Sequence, residues 1–132
     1  MKYLLDTNIC IYIIKQRPDS VLKKFRSLVP GDLVISSITI AELQYGVEKS
    51  QFAARNQAAL EEFLLPLDIA YFDSEAAIQY GKIRAGLEKK GRIIGSMDLL
   101  IAAHGVSLGI PIVTHNVKEF SRVPGLTVEN WA

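Results

Sequence analysis

The feature of this sequence that most constrains its fold is the alternation of short apolar segments with helical ones. Five segments have the length and character of strands: Lys2–Leu5, Leu33–Ser36, Ile69–Phe72, Ile110–Thr114 and, more weakly, Leu126–Val128. Helical segments lie between them, and one carries Val21, Phe25 and Leu28 at the spacing of a single helical face. Strands that alternate with helices favour a parallel sheet covered on both faces. The pattern therefore predicts an α/β fold.

Capping signals predict where the helices begin and end. Asn8 is the predicted N-cap of a first helix that runs through Ile14, and Pro18-Asp19 opens the second. Ser74 is the predicted cap of a long helix that ends before Gly91. Three further helices are predicted over Thr39–Gly46, Ala53–Leu65 and Asp98–Leu108.

Composition limits the domain organisation and gives little sign of a partner. With 132 residues, 49% hydrophobic and 22% charged, residues 1–132 are predicted to form a single domain. Fifteen basic and fourteen acidic residues leave a net charge of +1, so the overall charge does not indicate a nucleic-acid partner. Two local clusters, Lys23–Arg26 and Lys89–Arg92, are basic, and solvated helix faces and helix ends explain each of them.

Two features bear on the cellular compartment. The single cysteine, Cys10, cannot form an internal disulfide, which suits a reducing cytoplasm. Leu99–Val117 carries no formal charge and is long enough to raise the question of a membrane span. The Gly109-Ile110-Pro111 break divides it into a helix and a strand, each too short to cross a bilayer. We therefore expect a soluble, cytoplasmic protein with no membrane segment.

Four polar residues occupy positions that a parallel sheet would bring together. Asp6 and Asn116 follow strands, and Glu42 and Asp98 open helices. Each has a local explanation: a strand end, a turn, a capping box with Thr39, or a favourable charge near a helix N-terminus. All four nevertheless lie at the carboxyl edge of the sheet, where open α/β sheets bind ligands. We therefore expect them to form one site.

The chemistry of this set predicts a divalent cation. Three carboxylates in one pocket repel one another unless a cation lies between them. Oxygen ligands without a thiolate or histidine cluster favour Mg²⁺ or Mn²⁺ over zinc. Such ions bind phosphate oxygens, position a water and neutralise charge at phosphorus. His104 and His115 are interpreted as packing or hydrogen-bonding residues, not as metal ligands.

Five segments of the sequence stand out as motifs: Leu5–Ile9 (LDTNI), Ile35–Leu43 (ISSITIAEL), Gly95–His104 (GSMDLLIAAH), Val113–Phe120 (VTHNVKEF) and Arg122–Leu126 (RVPGL). The first four resemble the motifs of PIN-domain ribonuclease toxins of the VapC family, and the fifth resembles their typical tail. They span nearly the whole chain, in order, so the match is far more specific than Asp-Thr-Asn alone. The resemblance implies a three-layer α/β/α PIN-like fold with the strand order 3-2-1-4-5.

The resemblance also assigns residues to the site. It implies a metal-binding set of Asp6, Glu42 and Asp98, in which the two aspartates are direct ligands, and a hydroxyl, Thr7, beside the first aspartate. A fourth position that is often aspartate in PIN domains is asparagine here.

Asn116 at that position weakens the case for a second metal ion. Glu119, one helical turn further on, is expected to supply the missing charge. We count both residues among the catalytic candidates.

The function that the resemblance implies is that of a type II toxin: a Mg²⁺-dependent endoribonuclease with a VapB-like antitoxin and a homodimeric state. Enterobacterial-type relatives cut initiator tRNA in its anticodon loop, so this RNA is the expected substrate and inhibition of translation the expected result. In the expected hydrolysis, Glu42 orients or deprotonates the attacking water while an ion on the two aspartates binds a phosphate oxygen. Lys118 and Arg122 are expected to hold flanking phosphates.

Other functions remain open from the residues alone. An aspartate-dependent phosphohydrolase needs a second aspartate two positions after the first, and Asn8 occupies that position. A phospho-receiver domain needs adjacent acidic residues near the end of the first strand. A catalytically silent PIN-like interaction module would predict gaps in the acidic set, whereas three carboxylates are present.

Overall fold

The computed structural model describes residues 2–132, which contain a parallel sheet of five strands in the order β3-β2-β1-β4-β5. The central strand β1 (Tyr3–Leu5) pairs with β2 (Leu33–Ser36) and with β4 (Ile112–Val113). The edges are β3 (Asp68–Ala70) and β5 (Val128–Glu129). The strand order reverses between β1 and β4, so their carboxyl ends form the kind of crevice in which open α/β sheets bind ligands. The predicted strand order is confirmed.

The helices are α1 (Thr7–Ile14), α2 (Asp19–Arg26), α3 (Ser37–Glu48), α4 (Ala53–Leu64), α5 (Ser74–Lys89), α6 (Ser96–Leu108) and α7 (Val117–Phe120), and a 3-10 turn at Pro30–Asp32 precedes β2. Within residues 2–132, no helix is long and apolar enough to cross a membrane.

Helices cover both faces of the sheet because successive strand residues point to opposite sides. Leu5 and Ile35 belong to the hydrophobic cluster that α1 to α4 complete. Leu4 and Val34, their neighbours in β1 and β2, belong to the cluster that α5, α6 and α7 complete. The three-layer α/β/α arrangement is therefore confirmed.

Two predicted helix starts are wrong, and each one changes the position that a predicted site residue has in its helix. The cap of α1 is Asp6 instead of Asn8: the Asp6 carboxylate accepts a hydrogen bond from the Ile9 amide at 2.8 Å. Asn8 lies exposed in the first turn. Glu42 makes no capping box, because α3 begins at Ser37. The residue before it, Ser36, caps the helix, and Glu42 lies in the second turn.

Smaller differences affect α5 and α6. Asp73 rather than Ser74 caps α5, and its side chain accepts from the Ala76 amide at 3.0 Å. Helix α6 begins two residues before Asp98, which keeps that carboxylate in the first turn as predicted.

Helices α1 and α5 end in the same hydrogen-bonded turn, in which the residue after the C-cap is left-handed. In α1 this residue is Gln16 (φ 59°), and in α5 it is Gly91 (φ 64°). The amide of Arg17 donates to the Tyr12 carbonyl at 3.0 Å, which is the long bond of a Schellman motif. Glycine is the usual residue at this position, so α1 makes the turn with a less favourable one.

Candidate acidic site

Asp6 lies at the centre of the site, between β1 and α1, with only 2% of its surface exposed. The Ile9 amide donates to its Oδ1, and the Thr114 hydroxyl donates to its Oδ2. Burial raises the pKa of Asp6, and the Glu42 charge adds to this rise. The two hydrogen bonds and the nearby His115 oppose it. The side chain is therefore fixed in one orientation while its charge remains electrostatically unfavourable.

Thr114 is a site residue that sequence reasoning missed. It is fully buried, and its hydroxyl donates to Asp6 while accepting from the Asn116 amide at 2.9 Å. It thus connects the end of β1 to the turn after β4. The sequence signal that could have identified it is a hydroxyl residue directly after the strand that neighbours β1 at the crevice.

Thr7 and Glu42 join α1 to α3. The Thr7 hydroxyl donates to Glu42 Oε1 at 2.6 Å and lies 3.4 Å from the Thr39 hydroxyl oxygen. Within residues 2–132, Glu42 Oε2 makes no hydrogen bond. The contact with α1 orients the carboxylate and leaves one of its oxygens available.

Asp98 approaches the site from the opposite helical layer, in the first turn of α6. Burial raises its pKa to about 6, and the charges of Asp6, Glu119 and Glu42 add to this rise in that order. No hydrogen bond to its carboxylate is present in the described part of the chain. Four carboxylates from different elements therefore act on one another at this edge of the sheet.

These side chains are near one another but do not enclose a common point. Within residues 2–132, no three His, Cys, Asp or Glu side chains are close enough together to hold a metal ion. Coordination by three carboxylates would therefore require side-chain rotation. The donor chemistry still fits a hard divalent cation, because the donors are carboxylate oxygens and because the pKa of Asp98 is raised by burial and, after it, by neighbouring negative charges.

Asn116 and Glu119 lie at the start of and within α7, a short helix that the sequence did not predict. Asn116 precedes the helix, and its side chain makes no capping hydrogen bond among the residues described. Glu119 lies on the helix, near enough to contribute to the raised pKa of Asp98. The structure therefore brings Glu119 close enough to act on Asp98 and places the Asn116 amide against Thr114, while the catalytic role of both residues stays a prediction.

The two histidines have structural contacts. His104 is buried, with Nδ1 2.8 Å from Ser36 Oγ and its ring edge-on to Phe72, so the predicted hydrogen-bonding role is confirmed. Burial lowers its pKa. His115 is exposed and packs edge-on against Tyr12, with ring centroids 6.0 Å apart.

The predicted phosphate-binding cations differ in their surroundings. Lys118 is exposed on α7. Arg122 Nη1 donates to the Ile93 carbonyl at 3.1 Å and so ties the segment after α7 to the loop before α6. Its role toward phosphate remains a prediction.

An apolar groove of about 300 Å³ lies beside the site, between α1, α3 and α4. Its walls include Ile11, Ile14, Leu43 and Leu60, and Glu42 lies at its edge.

Known proteins share this fold along its whole length. Residues 3–126 match the family model described as PIN domain. The chain is 48% identical over 132 residues to Ribonuclease VapC2 of Rickettsia felis, with 99% of this chain and 98% of that relative covered. It is also 48% identical to the tRNA(fMet)-specific endonuclease VapC of Shigella flexneri, with 100% and 99% covered. In the crystal structure of DNA-bound VapBC from Salmonella typhimurium, one chain matches with a TM-score of 0.95 and 43% identity, covering 100% of this chain and 99% of that one.

Proposed function

We propose that this chain, which belongs to the VapC family of PIN-domain ribonucleases, is the toxin of a type II toxin–antitoxin pair. It acts as a metal-dependent endoribonuclease that cuts tRNA and so inhibits translation. The sequence identity of 48% with two named ribonucleases, which extends over 132 residues, favours this function over an aspartate-dependent phosphohydrolase or a receiver domain.

The proposed substrate is initiator tRNA, cut in its anticodon loop. The Shigella flexneri relative is named a tRNA(fMet)-specific endonuclease, and its identity of 48% extends over the whole chain. Such a substrate would be met in the cytoplasm, where we place the protein.

One observation carries the proposed chemistry: burial first, and then the charges of Asp6, Glu119 and Glu42, raise the pKa of Asp98 to about 6, so three further carboxylates lie close enough to act on it. Crowded negative charge of this kind is suited to a divalent cation. We propose that Asp6 and Asp98 hold Mg²⁺ or Mn²⁺, assisted by Glu42. When bound, the ion would supply Lewis-acid stabilisation of charge on the phosphate.

Glu42 is the residue that acts on the attacking water, and the other site residues hold the carboxylates in place. Thr7 fixes one oxygen of Glu42 at 2.6 Å, so the free oxygen can orient the attacking water and accept its proton. Thr114 holds Asp6 in place. Asn116 and Glu119 complete the rim, where Glu119 supplies the charge that Asn116 lacks.

The proposed partner is a VapB-like antitoxin, and we expect the toxin itself to form a homodimer. The Salmonella typhimurium relative was crystallised as a VapBC complex on DNA. The groove between α1, α3 and α4 is apolar and lies beside Glu42, so a segment of an antitoxin bound there would reach the acidic site.

The test is RNA cleavage by Asp6→Asn, Glu42→Gln and Asp98→Asn variants with Mg²⁺, with Mn²⁺ and with EDTA. Each variant should stay folded and lose cleavage, and EDTA should stop the wild-type protein. Glu48→Gln, an exposed change on α3, is the matched control and should cut normally. Full cleavage in EDTA or by Asp98→Asn would refute the metal assignment. Absence of cleavage by the wild type with either metal would favour a silent interaction module.

A further inference from the structure

We propose that an open pocket beside the acidic site binds a nucleotide of the RNA that flanks the one being cut. The pocket has a volume of about 390 Å³, and its walls include Ile11, Tyr12, Lys15, Arg17 and His115. This inference rests on the proposed ribonuclease function and adds to it a place that holds the substrate.

The pocket adjoins the acidic site through two elements. His115 directly follows Thr114, whose hydroxyl donates to Asp6, and the charge of His115 acts on Asp6. Helix α1 runs from Asp6, its N-cap, to Lys15, its C-cap. At the helical rise, these nine steps span roughly 13 Å. A strand of RNA that passes the acidic residues can therefore continue along α1 into the pocket.

The pocket carries positive charge where the acidic site carries negative charge. Lys15 and Arg17 are both exposed, and neither forms a salt bridge with a carboxylate in residues 2–132. The negative end of the α1 dipole accounts for one cation at the helix end. Two unpaired cations at the rim of one pocket attract the phosphates of a nucleic acid.

Aromatic side chains form one wall of the pocket. The rings of Tyr12 and His115 meet edge-on at 66°, with centroids 6.0 Å apart. Tyr12 also packs against the core cluster of α1 to α4, which fixes its position. Proteins that bind single-stranded RNA combine aromatic side chains, on which bases stack, with a positively charged groove.

The turn after α1 places Arg17 at the rim of this pocket. Gln16 is left-handed (φ 59°), and this reversal lets the Arg17 amide bond to the Tyr12 carbonyl at 3.0 Å. The equivalent turn of α5 uses Gly91. A left-handed non-glycine residue is disfavoured in itself, and such backbone positions concentrate where ligands bind.

A protein segment fits this pocket less well than RNA. The apolar groove for the proposed antitoxin lies on the α3 and α4 side of α1, and it shares only Ile11 and Lys15 with the pocket. An arrangement of cations beside an aromatic pair matches phosphates and bases, not an apolar helix.

The test measures binding of a labelled initiator-tRNA anticodon stem-loop by fluorescence anisotropy, in EDTA and over a series of salt concentrations. Lys15→Ala/Arg17→Ala should weaken binding about ten-fold at low salt. Since each single-strand phosphate contact contributes about 0.7 to the slope of log K against log salt, losing two should reduce the slope by about 1.4. The control Lys2→Ala/Lys82→Ala removes the same charge from the residue before β1, at the amino ends of the strands, and from α5, and should keep the wild-type slope.

A second variant separates stacking from charge. Tyr12→Leu should lower affinity about five-fold or more without changing the salt slope, because base stacking on an aromatic ring does not involve the phosphates. Its melting temperature is measured alongside, and Tyr80→Leu on α5 is the control for loss of a half-buried tyrosine.

The outcomes distinguish the pocket from the proposed function. If the wild type binds RNA and both pocket variants bind like their controls, the pocket inference is wrong and the ribonuclease function stands. If the double variant binds RNA normally but loses affinity for the antitoxin, the pocket belongs to the protein partner and the inference is again wrong. A wild type that neither binds nor cuts the stem-loop or whole tRNA would overturn the proposed function and the pocket with it.

Discussion

Thr7 donates a hydrogen bond of 2.6 Å to Glu42 and so joins the first residue of α1 to the second turn of α3. Because the donor is a neutral hydroxyl, it orients the carboxylate without neutralising it. The proposed base therefore keeps its charge while losing rotational freedom.

Removing this hydroxyl should impair cleavage more than stability. Thr7→Val should lower kcat/KM on tRNA about 10- to 100-fold, the usual cost of losing a partner that orients an active-site ligand. Thr7→Ser, which keeps the hydroxyl, should remain within a few-fold of the wild type. A Thr7→Val enzyme with wild-type kcat/KM would show that Glu42 needs no orientation from α1.

Thr114→Val tests the buried contact to Asp6. It leaves one Asp6 oxygen and the Asn116 amide without a partner, which should cost about 1–3 kcal/mol of the free energy of unfolding. The hydrogen bond lowers the pKa of Asp6, so its stabilisation is present when Asp6 is ionised and is lost as pH falls through its titration. The loss measured by urea unfolding should therefore be larger at pH 7 than at pH 4.

Thr114→Ser retains the hydroxyl and serves as the control for this measurement. It should show only the cost of the missing methyl group, equal at both pH values. A Thr114→Val loss that does not depend on pH would contradict the assigned hydrogen bond to an ionised Asp6.

Asp98→Asn should stabilise the metal-free protein at neutral pH. The folded pKa of about 6 lies above the ordinary value of 3.8, so the folded state binds more protons than the unfolded state between these values. Stability therefore falls as pH rises from about 4 to about 6, and the deficit persists at pH 7. The variant should melt higher than the wild type at pH 7 in EDTA, and show no such gain at pH 4.

Asp19→Asn is the matched control, because Asp19 also lies in a first turn, that of α2, but is exposed and away from the acidic residues. There the helix dipole favours the carboxylate, so the control should melt slightly lower. If Asp98→Asn also melts lower at pH 7, the carboxylates do not repel one another in the folded protein.

Gln16→Gly should raise the free energy of unfolding by up to about 1 kcal/mol, because glycine avoids the penalty of a left-handed backbone conformation at a residue with a side chain. The greater flexibility of glycine in the unfolded chain offsets part of this gain. Gly91→Ala at the matching turn of α5 is the reverse change and should destabilise the protein by about 1 kcal/mol. Thermal unfolding checks both. A lower melting temperature for Gln16→Gly would mean that the glutamine side chain itself contributes to the turn.

The apolar segments of the sequence predicted where the strands lie more accurately than they predicted where each strand begins and ends. Leu33–Ser36 is predicted with the bounds that it has, because a turn precedes it and a helix follows at once. Strand β4 is shorter than predicted, with two residues in place of five. Pro111 has no N–H to donate to a ladder, which limits the strand at its start.

The positions of the acidic residues could be predicted from topology, but their hydrogen bonds could not. Ser36, Ser37 and Thr39 are all suitable caps for α3, and no local signal chooses among them. In the structure Ser36 is held by His104, 68 positions away in the chain. The choice between Asp6 and Asn8 likewise depends on a distant partner, Thr114. Contacts of this range are absent from any local pattern.

The bond between Asp6 and Thr114 also has a consequence for how the protein is made. The two residues are 108 positions apart, so Asp6 is synthesised long before the hydroxyl that orients it. The central strand β1 likewise cannot pair with β4 until Ile112 and Val113 have been synthesised. Long-range pairings of this kind form after the intervening chain is complete. The acidic site therefore cannot be complete until the chain has been synthesised through Thr114, so a shorter nascent chain lacks the contact that orients Asp6.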